Sequence, residues 1–162
     1  MKKGNRILLS VVLIMIAVVC LVIIWKQKVK STDLSNVQLD HIVLGETYKK
    51  ENFSEYTPSD YLKGKKNQVS FKELQLKLND NNEIIQVKGN KGEVVIHING
   101  TDNPEKIEDV IVILGDYYSS GWYDWNQRLK YIKYVDRDNK EKATFVYSEH
   151  DKNLVWILLD QY

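Results

Sequence analysis

The sequence predicts an α+β protein: an N-terminal transmembrane helix followed by a helix-plus-antiparallel-sheet domain, built as two tandem α-βββ repeats. Three observations carry this expectation. Residues 7–25 (ILLSVVLIMIAVVCLVIIW) form an uncharged run of 19 residues. Two later stretches, 69–98 and 129–159, alternate apolar and polar residues between turn clusters, the period of half-buried strands. Ahead of the second stretch, Ile107, Val110, Ile111 and Leu114 fall at i, i+3, i+4 and i+7, one apolar stripe of a helix.

In chain order, residues 1–6 read as a cytoplasmic tail and residues 7–25 as the membrane span. A helix of that length measures about 28 Å, close to the hydrocarbon thickness of a bilayer. Trp25 ends the run at an interfacial position, and Lys26, Lys28 and Lys30 follow it. A cleaved signal peptide is the rival reading. The run exceeds the usual core of about 7–15 residues, and no small-x-small site follows it. Cys20 lacks the small preceding residue of a lipoprotein site. The positive-inside rule places Lys2, Lys3 and Arg6 in the cytoplasm and the C-terminal domain outside. The expected location is the cell membrane, single-pass, with the bilayer as a partner through residues 7–25. Residues 26–40 read as a tether.

Residues 41–162 form the expected extracytoplasmic domain, with repeats at about 41–98 and 99–162. In the first repeat, residues 47–56 would be a short helix marked by Phe53 and Tyr56. Residues 69–78, 84–88 and 94–98 would be its strands, separated by the turn clusters 79–82 and 89–92. In the second, Asn103 caps a helix over residues 105–114, with Pro104 in its first turn and Gly115 at its stop. Strands follow at 129–135, 143–147 and 154–159. The spacing from Leu78 to Val135 is 57, from Val87 to Val146 59, and from Ile98 to Leu158 60. One irregular α+β domain with a coincidental rhythm is the alternative to a repeat.

Ile42-Val43-Leu44-Gly45-Glu46-Thr47, then a short helix and a strand meander, resembles the tandem repeats of β-lactamase-inhibitor-protein-like domains and of related outer-membrane-assembly lipoproteins of the SmpA/OmlA type. Ile98-Asn99-Gly100-Thr101 before the second helix is similar to a second copy. The chain departs from that pattern in its weakly apolar first helix, the missing Leu before Gly100 and the absence of disulfide cysteines. The resemblance implies helices on one face of a curved sheet, the other face free to bind a protein, and no catalytic residues.

Composition narrows the chemistry. A chain of 162 residues that is 43% hydrophobic can bury a core. One cysteine excludes a disulfide framework and an all-cysteine metal site. Residues 1–30 hold six basic residues and no acids, leaving 17 of 23 basic and all 22 acidic residues beyond, a net of −5. Nucleic acid is a poor partner for that remainder. His41, His97 and His150 have no metal-ligand spacing; Glu149-His150-Asp151 reads as a solvated turn, and Asp136 to Lys140 as a hairpin turn without the glycine and bidentate Glu of a calcium loop. No catalytic, metal or cofactor motif is present. Asn52-Phe53-Ser54 and Asn99-Gly100-Thr101 are sequons of little weight in a composition, rich in Lys, Asn and Ile, that looks bacterial.

Aromatic residues stand out instead. Residues 117–162 hold 11 of the 17 aromatics. The segment Ser119-Ser120-Gly121-Trp122-Tyr123-Asp124-Trp125 reads as a loop with two tryptophans. If extended, it sends Trp122 and Asp124 one way and Tyr123 and Trp125 the other. The candidate binding residues are Trp122, Tyr123, Trp125 and Tyr118, rigid rings suited to interface hot spots; Asp116, Asp124 and the net charge point to a basic-faced partner. The expected function is a membrane-anchored, non-catalytic module that binds another bacterial envelope protein, as inhibitor, assembly factor or immunity-type protein. An enzyme acting on cell-wall or carbohydrate substrates and a structural subunit of a membrane complex are the alternatives.

Overall fold

Alternation along residues 129–161 builds the most regular part of the fold. Strands β8 (Leu129–Asp136), β9 (Glu141–Ser148) and β10 (Leu154–Gln161) form an antiparallel meander. Ile132, Tyr134, Ala143, Phe145, Ile157 and Leu159 point to one face and are essentially buried. The computed structural model describes Met15, residues 30–62 and residues 64–162. The remaining strands are β1 (Val37–Leu39), β2 (Gln68–Ser70), β3 (Leu74–Leu78), β4 (Ile84–Asn90), β5 (Ile96–Ile98), β6 (Thr101–Asp102) and β7 (Ser119–Asp124). The α-helix α1 spans Ile107–Leu114, and a 3-10 turn covers Lys50–Phe53.

Seven strands form one antiparallel sheet in the order β2-β3-β4-β10-β9-β8-β7, and β1-β5-β6 form a second, small sheet. The architecture is therefore mostly β, which corrects the expected α+β domain of two tandem α-βββ repeats. Two local facts break the repeat. Residues 47–56 carry only Phe53 and Tyr56 as helix-facing apolar residues, so the segment condenses into the single 3-10 turn. The strand expected at 94–98 leaves the main sheet, because Val37, Gln38 and Leu39 pair with Ile98, His97 and Ile96. Its place beside β4 is taken by β10, with Leu158 opposite Lys88 and Leu159 opposite Val87. Leu34, Val37 and Leu39, inside the stretch read as a tether, are buried.

Among the described residues no helix is long and apolar enough to cross a membrane. The α-helix has eight residues, about 12 Å at 1.5 Å per residue, against the roughly 30 Å of a hydrocarbon core. This finding corrects the expected transmembrane helix, the single-pass arrangement and the cell-membrane localisation with a cytoplasmic N-terminus and an extracytoplasmic domain. Apart from Met15, the run at 7–25 lies outside the described residues, as does the tail at 1–6.

Helix α1 seats Ile107, Val110 and Leu114 against the core, with Ile111 half-buried. Asn103 does not cap it: its side-chain oxygen accepts the Ile96 N–H at 3.0 Å, and the Asp109 carboxylate accepts the Lys106 N–H at 2.9 Å. Both helix ends are pinned to the sheet. Ile107 N–H donates to the Lys152 carbonyl at 3.0 Å, and the Tyr134 hydroxyl donates to the Gly115 carbonyl at 2.7 Å. On the same face, Gly89 of β4 admits the small sheet: a Cβ there would lie 2.5 Å from Val94 Cγ2 and 3.4 Å from Leu39 Cδ1.

The Asp136 carboxylate, 2% exposed, ties the N-terminal segment to the β8–β9 hairpin. Its Oδ1 accepts the Asp138 and Asn139 N–H groups at 3.0 and 3.1 Å; its Oδ2 accepts Leu34 N–H and Asn139 Nδ2 at 2.9 Å each. The stretch read as a hairpin turn rather than a calcium loop is thus organised by a saturated carboxylate.

Candidate binding surface

The segment read as a loop is the edge strand β7. It pairs with β8 from Ser119↔Lys133 to Trp122↔Lys130, then skips a residue so that Asp124 faces Leu129. Tyr123 is the extra residue of this bulge, and bulges re-aim side chains. The expected face assignment is overturned as a result. Trp122 and Trp125 come together, ring centroids 4.1 Å apart at 62°, whereas Tyr123 turns to the opposite face and meets Trp156 edge-on at 4.6 Å. Gly121 makes room for the hairpin's packing: a Cβ there would stand 3.0 Å from the Tyr131 ring and hydroxyl. The turn is closed by Asp124, whose two carboxylate oxygens accept the Gln127 backbone and side-chain N–H groups at 3.0 Å each.

Trp122, Tyr123 and Trp125 are 38%, 50% and 67% exposed. None is core. Tyr118 differs: it is half-buried and packs edge-on against the buried Tyr134 at 5.6 Å, which makes it a support under the edge.

Charged residues surround the tryptophans: Arg128 and Lys130, which the sequence did not single out, and Glu149 of the stretch read as a solvated turn. Arg128 donates through Nε and Nη2 to Glu149 Oε2 at 3.1 and 2.8 Å, and Lys130 Nζ lies 2.9 Å from Glu149 Oε1. The hydrogen bonds from Arg128 and Lys130 hold the Glu149 carboxyl below its ordinary range. Lys130 Nζ also lies 4.7 Å from the Trp122 ring centroid, a cation–π distance. Trp122, Trp125, Asn126, Arg128 and Glu149 line an open cleft of about 440 Å³. Its one carboxylate, Glu149, is already engaged by Arg128 and Lys130.

Two of the three histidines pair with acids outside this cleft. His97 Nδ1 is 2.6 Å from Asp102 Oδ1, and His41 Nε2 is 3.6 Å from Glu55 Oε1. Among the described residues no group of three His, Cys, Asp or Glu side chains could hold a metal ion. No family model, curated protein or solved structure matches the chain, so the functional reading rests on its own residues.

Proposed function

We propose that this chain is a non-catalytic protein-binding module, of inhibitor, assembly-factor or immunity type, with the β7 edge as a contact surface. The observation that carries this is the grouping of Trp122, Tyr123 and Trp125 on one edge hairpin, each more than a third exposed. Exposed large rings held in fixed geometry are the chemistry of interface hot spots. The cleft beside them supports binding over hydrolysis. General acid–base work on a glycoside needs two carboxylates flanking the bond, and here the one carboxylate lining the cleft, Glu149, is engaged by Arg128 and Lys130.

The test separates folding from binding. A photo-crosslinking residue at position 125 captures the partner from a cell extract, and the capture is repeated with Trp122→Ala and with the parent chain. Trp122→Ala removes an exposed ring and one edge-to-face pair, worth about 0.5–1.5 kcal/mol to the fold, while a hot-spot truncation weakens binding by about 2 kcal/mol or more. Unchanged capture by Trp122→Ala, or unfolding by both Trp122→Ala and Trp125→Ala, would refute the reading.

A further inference from the structure

The main sheet has a second face, and its register sorts that face into rows. One row runs Gln75, Lys88, Leu158, Thr144, Lys133, Ser119 across β3, β4, β10, β9, β8 and β7. A parallel row runs Lys77, Gln86, Asp160, Lys142, Val135. A third, Asn90, Trp156, Val146, Tyr131, Gly121, is apolar and aromatic. Helix α1, β1, β5 and Phe53 all join the core cluster on the other face, and Val146 and Trp156 stand outside that cluster. What shields Trp156 (8% exposed) is a layer of long side chains. Lys88 Nζ sits 4.2 Å over its ring, and Tyr123 closes on it from β7. Strands β10 and β7 are three ladders apart, about 14 Å in a flat sheet at roughly 4.8 Å per ladder. The Tyr123–Trp156 contact therefore requires the sheet to curl toward this face.

The charge on this face opposes the net −5 of residues 31–162. At strand positions from β3 to β8 it carries Lys77, Lys88, Lys133 and Lys142 against a single acid, Asp160. None of the four lysines makes an ion pair within 4.0 Å among the described residues. Asp160 offsets only part of this charge, one acid against four lysines; burial raises its carboxyl above the ordinary value, and Lys142, Lys133 and Lys77 nearby act in the opposite direction, while burial lowers Lys88. Ammonium groups in excess over acids, on three half-buried lysines and the exposed Lys77 and bordered by rings, are complementary to carboxylates that arrive from outside.

We infer that this curled sheet face, opposite the one that carries the helix and the core cluster, docks an extended acidic protein segment, its carboxylates on the lysine rows and an apolar side chain against the half-buried Tyr131 beside the shielded Trp156. The inference rests on the reading of the chain as a binding module and assigns the partner's chemistry, reversing the basic-faced partner that net charge alone suggests. The spacing fits. Lys88 and Lys133 lie three ladders apart, at most about 14 Å on the curled sheet, and glutamates four residues apart on one side of an extended chain are separated by about 13 Å. A polyanion such as single-stranded nucleic acid also carries charge and stacks on rings. It is disfavoured by Asp160 among the lysines and by the net −5 of residues 31–162.

The experiment uses the full chain, isotope-labelled, and three fluorescent probes: a Glu-Leu-Thr-Tyr-Glu peptide, the same peptide with Lys for Glu, and a single-stranded oligonucleotide. The expected result is that the acidic peptide binds and moves the amide signals of Lys88, Lys133, Lys142 and Trp156. Its affinity should drop as ionic strength rises from about 0.1 M to about 1 M, where the screening length shrinks from about 10 to about 3 Å. Lys133→Glu with Lys142→Glu should cost roughly tenfold or more in affinity, about 1.4 kcal/mol per tenfold, with melting unchanged. If that pair fails to fold, the exposed Lys77→Glu and the salt dependence carry the test. Signals that move elsewhere, an affinity indifferent to charge reversal and salt, or tighter binding of the oligonucleotide on this face would overturn the inference. Trp125→Ala, which leaves this face intact, should not alter peptide binding. Failure of the crosslinking test with peptide binding retained would therefore refute the β7-edge contact alone.

Discussion

Replacing Asp136 by Asn should destabilise the fold by about 3–6 kcal/mol at neutral pH. Whichever carboxylate oxygen becomes the amide nitrogen, two donors lose their acceptor: the Asp138 and Asn139 N–H groups on one side, or Leu34 N–H and Asn139 Nδ2 on the other. A hydrogen bond to a charged group contributes about 1.5–3 kcal/mol; the Leu34 donor is buried, and those of Asp138 and Asn139 are partly so. Acid should erase the difference. Burial pushes this carboxyl upward, but the hydrogen bonds from Leu34, Asn139 and Asp138 outweigh it and hold the group below its ordinary value. A depressed carboxyl contributes stability that is complete above the unfolded value of about 3.9 and is lost as pH falls through the lower folded value. Urea unfolding followed by tryptophan fluorescence, at about pH 7 and in steps below about pH 4, measures the gap between the two chains. Amide exchange at Leu34 reports whether the N-terminal segment detaches first. A gap below about 1 kcal/mol at neutral pH, or one that persists undiminished in acid, would refute the assignment of Asp136 as a charged turn organiser.

The remaining predictions concern packing. Val110→Ala should cost about 2 kcal/mol, from two lost methyl groups at about 0.8 kcal/mol each plus a cavity, because Val110 is fully buried. Val112→Ala, on a residue 85% exposed, should stay within about 0.5 kcal/mol; equal effects in thermal melts would mean that the helix faces another way. Gly89→Ala should cost about 1–3 kcal/mol through overpacking against Val94. Combining it with Val94→Ala should recover part of that loss in a double-mutant cycle, and strict additivity would exclude the contact.

Strands β8 to β10 and helix α1 were legible because their side chains obey a period that burial enforces. Ile132, Tyr134, Ala143, Phe145, Ile157 and Leu159 are core at every second position of their strands. The helix stripe was legible too, but its axis was displaced: Val110 is the deepest residue and Ile111 only half-buried. Strand β7 was hidden because Ser119, Ser120 and Gly121 have no strand propensity of their own; β8 supplies the template. The Tyr123 bulge needs no special residue, so alternation misassigned Trp125. The fate of residues 94–98 depended on β1, more than 50 residues earlier in the chain, and no local pattern reports such a competition. The lysine rows were visible in principle, since each lysine sits at the parity opposite to the core positions, but a chain-wide net charge averages them away.

The placement of β10 has a consequence for how this chain comes together. Strands β2, β3 and β4 form one ribbon and β7, β8 and β9 another, and no ladder joins them except through β10, which pairs with β4 on one side and β9 on the other. Until residues 154–161 emerge during synthesis, both ribbons present an open edge, the template on which unfinished chains adhere to one another. The join is also remote, bringing residues 86–90 to residues 156–160, so it should be among the slower events of folding. A chain cut before Leu154 would thus be two unsealed halves, and a synthetic strand of sequence 154–161 supplied in trans is the smallest piece that could seal them.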